Sequence, residues 1–216
     1  PNGGKILDPF AGGSVRGIVA AYLAYDYVGV DLRPEQVEAN KEQAGRICGG
    51  HKPTWLVGDS MGVNTLAPGQ YDLIFSCPPY YDLEVYSDLP GELSAMSTYE
   101  LFLSSYRTII GKSVAMLKDN RFACFVVGDI RDRQGFYRNF VSDTIMAFQS
   151  VGAILYNEAI LVTAVGSLPI RVSRAFKLNR KMGKTHQNVL VFFKGNPKTI
   201  KDFGEVEVGE IELDAP

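Results

Sequence analysis

The chain alternates between short apolar runs and longer stretches whose apolar residues recur at helical spacing. KILD (5–8) and YVGVD (27–31) predict two brief strands, separated by a glycine turn and an Ala-rich helical run near Val15 to Ala24. RPEQVEANKEQAGRI has Pro early, acids in its first turn and bases late, the order a helix favours. TWLVGD (54–59) and YDLIFS (71–76) predict two more strands, joined by a short loop with at most a broken turn. STYELFLSSYRTIIGKSVAMLKDN (97–120) opens on a Ser/Thr cap and keeps the helical period. RFACFVVGD (121–129) is continuously apolar, as a strand buried on both faces must be, and a helix is expected from about Phe136 to Ser150.

The end of the chain breaks this rhythm. AILYNEAILVTA (153–164) and QNVLVFFKG (187–195) read as strands joined by a basic stretch with no helical pattern strong enough for a crossover, which predicts an antiparallel pair. The expected architecture is α/β and doubly wound: a mostly parallel, seven-stranded, Rossmann-like sheet closed by a C-terminal antiparallel hairpin. One domain is expected over residues 1–204, followed by an acidic tail or edge strand at 205–216. Because the chain starts at Pro1 almost directly on a strand, an excised or processed domain with a missing upstream segment is expected.

At 216 residues the chain can bury a full core, and 46% hydrophobic with 21% charged residues is a globular composition. No apolar run is long enough to span a bilayer and no signal peptide is visible. Three cysteines without paired spacing fit a reducing compartment, so a cytoplasmic location is expected. The net charge of -2 hides a strong asymmetry. No acidic residue occurs between Glu158 and Asp202, whereas Arg171, Arg174, Lys177, Arg180, Lys181 and Lys184 crowd one stretch. The tail then turns acidic through Glu205, Glu207, Glu210, Glu212 and Asp214. A local block of one sign points to a polyanionic partner better than the total does.

ILDPFAGGSVRG is a strand, a glycine turn and a helix start, the place where a doubly wound sheet lets backbone approach a ligand. Asp31 ends the second strand, where a carboxylate can accept from two ribose hydroxyls. Asp59 ends the third, where one can accept from an adenine amine. These positions fit a nucleoside-bearing cofactor, and the absence of a Gly-Lys-Ser/Thr sequence excludes a nucleoside triphosphate loop. His51 and His186 have no partners at metal-ligand spacing, so no metal is expected.

DPFAGGS resembles the cofactor motif of S-adenosylmethionine-dependent DNA amino-methyltransferases, the adenine-N6 and cytosine-N4 enzymes, and SCPPY resembles their catalytic motif. THQNVLVFFKG is similar to the final strand of that family. The cofactor motif precedes the catalytic one, which is the non-permuted order. The resemblance implies that Asp8, Phe10, Ala11, Gly12 and Gly13 cradle the methionine end of S-adenosylmethionine, that Asp31 holds its ribose and that Asp59 holds its adenine. The family usually places Ser before the second Gly; here the order is Gly13-Ser14.

An exocyclic base amine is a poor nucleophile, because its lone pair is conjugated into the ring. Methylating it needs acceptors for both amine hydrogens. A carbonyl between consecutive prolines is a fixed acceptor, since proline locks φ and offers no donor. Pro78 therefore supplies the carbonyl in this reading and Pro79 the rigidity. Tyr80 supplies a face for a base flipped out of the duplex, worth roughly 1–3 kcal/mol. Cys77 stands where the family has Asp, Asn or Ser, and sulfur is a weak acceptor. It can also be read as a nucleophile toward a pyrimidine ring carbon, although that chemistry resembles a Pro-Pro-Cys order, or as a buried small residue. The basic segment from Arg171 to Lys184 should open near the cleft and meet a phosphate backbone, with sequence recognition left to an upstream domain or partner subunit. The alternatives are the same chemistry on RNA or a protein glutamine, or a non-catalytic nucleic-acid-binding subunit.

Overall fold

A computed structural model describes residues 3–162, 164, 166 and 168–202. Its strands and helices alternate as β1 (Lys5–Asp8), α1 (Val15–Tyr22), β2 (Asp26–Asp31), α2 (Pro34–Ile47), β3 (Thr54–Val57), α3 (Val63–Leu66) and β4 (Tyr71–Ser76), then α4 (Tyr99–Met116), β5 (Leu117–Val127), α5 (Phe140–Gln149), β6 (Ala153–Val162), α6 (Leu168–Asn179) and β7 (His186–Lys194). The strands form one seven-stranded sheet in the order β3-β2-β1-β4-β5-β7-β6. β1 to β5 run parallel, and β7 runs antiparallel between β5 and β6. From β1 the chain winds outward to β3, then returns to β4 on the other side. The point of reversal lies between β1 and β4, where a doubly wound sheet opens a crevice at its carboxyl edge.

Alternation along each strand sends neighbouring residues to opposite faces. On one face Leu7, Ile74, Phe125 and Phe192 pack with Phe102, Tyr106 and Ile109 of α4 and with Phe140 and Phe148 of α5. On the other, Ile6, Tyr27 and Trp55 pack with Ala20 of α1 and with Val37 and Ala44 of α2.

Three expectations are corrected. The basic stretch is helical over α6, with Val172 and Ala175 partly buried and Arg174, Lys177 and Leu178 exposed. The helix expected from Phe136 begins only at Phe140, because residues 131–137 close a turn bridged from Arg131 to Tyr137. The helix expected to reach Asn120 stops at Met116. β5 starts at once with an irregularity against β4, where Asn120 takes a φ of 57°. The tail at 205–216 lies outside the described residues.

The approach of α1 to the sheet is set by Gly17, where a Cβ would come within 2.5 Å of Trp55 Cζ2 and 3.0 Å of the Tyr27 ring. Gly17→Ala would gain about 1 kcal/mol of helix propensity against about 1–3 kcal/mol of overpacking. It should therefore lower the urea-unfolding midpoint; a raised midpoint would show that α1 does not pack this closely.

Candidate active site

The site begins with a buried charge. Asp8, at the end of β1, is fully buried. Its carboxylate accepts from Phe10 N at 3.1 Å, Ser76 Oγ at 2.5 Å, Arg16 Nε at 2.6 Å and Tyr27 OH at 2.8 Å. Arg16 also donates to the carbonyls of Phe10 and Ala11 at 2.7 and 2.8 Å. Burial opposes the charge on Arg16, but the Asp8 carboxylate outweighs it and holds the guanidinium above its ordinary pKa. Burial and then Asp8 push the Tyr27 phenol up as well, so it stays a donor.

This cluster folds the glycine turn over the end of β1. Gly12 takes a φ of 49°, donates its N–H to Asp31 Oδ2 at 2.9 Å and accepts from the buried Asn40 of α2 at 2.7 Å. A Cβ there would meet nothing within 4 Å, so it is the backbone conformation that favours glycine at this position. Ser14, from the exchanged Gly-Ser pair, is buried and donates to Gln43 at 2.5 Å.

A cavity of about 390 Å³ opens between this turn and the chain leaving β4. Its wall contains Phe10, Gly12, Gly13, Asp31, Asp59, Cys77, Pro78 and Pro79. Eight of the eleven residues expected to bind cofactor or do chemistry thus share one space. The other three are placed elsewhere. Asp8 and Ala11 are fully buried beneath the turn; Asp8 supports the wall by accepting from Arg16 and Phe10 N, both of which line it. Tyr80 stands outside this wall, partly exposed, with its ring edge-on to Phe140 and its hydroxyl accepting from Gln187 Nε2 at 2.6 Å. Burial raises the Tyr80 pKa, which keeps the ring neutral.

Asp31 accepts one backbone N–H on each oxygen, from Gly12 and from Arg33 at 2.9 Å, leaving a lone pair on each for a ligand hydroxyl. Burial raises its pKa, partly countered by those two N–H groups and the Arg33 charge. Asp59 caps the short 3₁₀ turn Ser60–Gly62 by accepting from Met61 N at 2.8 Å.

The sequence places a loop with Tyr81 and Tyr86 past the corner, but offers no sign that its Gly91 turn covers Asp59. At Gly91, with a φ of 91°, a Cβ would lie 2.8 Å from Asp59 Oδ2. Glu92 ties that loop down by accepting from Ser87 Oγ at 2.8 Å and from Ser94 N and Oγ at 3.1 and 2.7 Å. Tyr86 and Glu92 from this loop join Arg33, Gln36 and Ser60 in the cavity wall. Pro90-Gly91 signals a turn in the sequence, but nothing in it signals the approach to Asp59.

Burial pushes the Cys77 thiol up, and the pull of the Arg16 guanidinium does not restore it. A neutral thiol is the wrong form for attack on a ring carbon. Ser76, the neighbouring oxygen, points away from the cavity and is held by Asp8. Among the described residues, no group of three or more His, Cys, Asp or Glu is arranged to hold a metal.

The basic residues cluster above the same edge. β6 runs toward the carboxyl edge and β7 returns from it, so α6 hangs there. Arg174, Lys177 and Arg180 are exposed, while Lys181 and Lys184 are partly buried. The Arg171 side chain lies outside the described ones. No helix among the described residues is long and apolar enough to cross a membrane.

No protein-family model matches the chain, and no curated protein does. Solved structures match its fold. A SAM-dependent methyltransferase from Methanosarcina mazei superposes with a TM-score of 0.58 at 14% identity, covering 90% of this chain and 94% of that one. Magnesium protoporphyrin IX methyltransferase from Synechocystis, with bound SAM, gives 0.56 at 12% identity over 90% of this chain and 71% of that one. TrmN from Thermus thermophilus gives 0.56 at 15%, with 89% of this chain matching 44% of that one. The sheet is the Rossmann-like sheet of class I methyltransferases.

Replacing Asp8 with Ala should cost about 3 kcal/mol, because the largely buried Arg16 loses its counter-ion and keeps only the Phe10 and Ala11 carbonyls. Removing both partners in Asp8→Ala/Arg16→Met should cost less than the two single changes summed. Urea unfolding of the four proteins checks this; simple additivity would contradict the pairing.

Proposed function

We propose that this chain is an S-adenosylmethionine-dependent DNA methyltransferase that modifies an exocyclic base amine, adenine N6 or cytosine N4. What supports this most is that one cavity joins Gly12, Gly13, Asp31 and Asp59 to the Cys77-Pro78-Pro79 corner across the reversal point of the sheet. The SAM-bound neighbour of the same fold adds to this reading.

The residues present fit the cofactor. Asp31 has lone pairs left for two ribose hydroxyls, Asp59 sits under the covering loop where an adenine amine can donate, and the glycine turn leaves room for the amino-acid end. S-adenosylmethionine, when bound, supplies a methyl group already activated on sulfur.

The chain's own work is acceptance and alignment. Pro78 is buried at the cavity wall, and no donor among the described residues occupies its carbonyl. That carbonyl takes one amine hydrogen, which favours a tetrahedral nitrogen with its lone pair aimed at the methyl group. Cys77 Sγ, a weak acceptor, faces the second hydrogen. Tyr80, locked between Phe140 and Gln187, offers its neutral face to the extruded base. The exposed cations of α6 take the phosphate backbone, an interaction that gives affinity without reading sequence.

Tyr80→Ala should raise KM for DNA by on the order of tenfold, as expected for one lost stacking contact, and leave S-adenosylhomocysteine binding by calorimetry unchanged. Equal loss of both would count against the stacking role. Asp31 can accept on both oxygens at once only when ionised, and burial raises its pKa. Affinity for S-adenosylhomocysteine should therefore fall as pH drops through a midpoint above the usual Asp value. Asp31→Asn should bind weakly at every pH, and a pH-independent wild type would refute the ribose assignment. Nucleoside mass spectrometry of DNA, RNA and protein pools incubated with labelled methyl donor tests the activity itself. Methyladenine or methylcytosine in DNA is expected, whereas label confined to RNA or protein would overturn the substrate.

A further inference from the structure

Between β5 and α5 the chain makes a small hairpin whose tip carries an unpartnered aromatic ring. Phe136 is 69% exposed, next to the exposed Tyr137. The turn that holds it is rigid. Asp132 N donates to Phe136 O at 2.8 Å, and Asp132 Oδ1 accepts from Gly135 N at 2.7 Å and Phe136 N at 2.9 Å. Arg131 bonds Gly135 O at 2.7 Å and lies 4.0 Å over the Tyr137 ring, while Arg138 N donates to Ile130 O at 2.9 Å. Gly135, with a φ of 100°, lets the tip close.

Cations outnumber carboxylates around it. Arg133 is exposed at the turn, Arg131 is partly exposed, and Lys181 reaches in from the end of α6. A Cβ at Gly135 would lie 2.9 Å from Lys181 Cε and Nζ, so the hairpin and the basic segment form one surface. Of the carboxylates nearby, Asp132 accepts from the turn's own N–H groups and Asp129 from Val141 N at 3.1 Å, while Asp82 pairs with Arg138 at 3.5 Å. That last pair ties the hairpin to the segment following Tyr80.

We propose that the hairpin 130–138 is part of the DNA interface and that Phe136 inserts into the duplex, filling the space left by the extruded base. This rests on the DNA reading above. A flat apolar wedge carried on a stiff turn among cations suits a stacked polyanion. An acidic protein surface would use the cations but leave the ring in water. Fixing the backbone of the tip before binding spares part of the ordering cost that a flexible loop would incur.

The test uses the whole chain with a duplex carrying 2-aminopurine at the target position, in the presence of S-adenosylhomocysteine. Phe136→Ala should weaken duplex binding by on the order of tenfold and reduce the fluorescence rise on base extrusion. Phe136→Trp should restore both. Thermal unfolding and S-adenosylhomocysteine affinity should stay unchanged, since the side chain is exposed. Arg133→Gln should lower the slope of log K against log salt by about 0.9 with no loss of the fluorescence rise. A Phe136→Ala protein matching wild type in affinity and fluorescence, while wild type methylates DNA, overturns the wedge and leaves the functional reading standing. A wild type that neither binds nor methylates duplex overturns both. Dependence on Phe136 seen with hairpin RNA but not with duplex DNA overturns the DNA assignment.

Discussion

A carboxylate with no access to water sits where four chain segments meet, and the geometry of the site follows from satisfying it. Burying Asp8 and Arg16 together is expensive in desolvation, and such a pair is tolerated only when its geometry is good and its remaining valences are filled. Here they are filled by Ser76 from β4, Tyr27 from β2 and the backbone of the turn after β1, with Arg16 from α1 closing the set. Ser76 is the last residue of β4, so the bond that fixes it also fixes where Cys77 and Pro78 begin. The two loops that face each other across the cavity are thus hung from one charge. This gives the glycine turn and the proline corner a common reference, which alignment-driven chemistry requires.

Much of this was legible before the fold was known, for physical reasons that differ by element. The buried strands β4 and β5 declare themselves by unbroken apolar runs, and α2 by its charge order. The turn and corner motifs carry glycines and prolines whose backbone demands are local, so the two bends could be read from the sequence. What stayed hidden was non-local or balanced. Tyr27 and Arg16 look like ordinary residues of a strand and a helix until Asp8 brings them together. The cover over Asp59 depends on Gly91 meeting a residue from a different strand end. The helix α6 was missed because Pro169 and β-branched Ile170 and Val172 weaken its propensity, and its cations mask the period. Tyr80 follows the corner in sequence but stands outside the cavity wall. Its lock to Gln187, on the last strand, could not be seen from either segment alone.

The molecule divides its work between interior and rim. Inside, a few acceptors in fixed positions face a space closed by the loop around Glu92. On the rim, cations from α6 and from the hairpin after β5 form a surface that suits a phosphate backbone. Tyr80 stands at the boundary, where the proposed function would have an extruded base stack. The Arg138–Asp82 pair and the Tyr80–Gln187 bond connect rim to interior through neighbouring residues of the corner. Contact with a substrate can therefore bear on the corner without any element having to move far.

The central claim is that the anchored turn and the anchored corner face one another across the methyl donor. A crystal structure of the chain with S-adenosylhomocysteine tests this most directly. The ribose should lie on Asp31, the adenine by Asp59, and the sulfur should face the Pro78 carbonyl with space for a planar ring beside Tyr80. A ligand bound elsewhere, or a Pro78 carbonyl facing away from the sulfur, would contradict it.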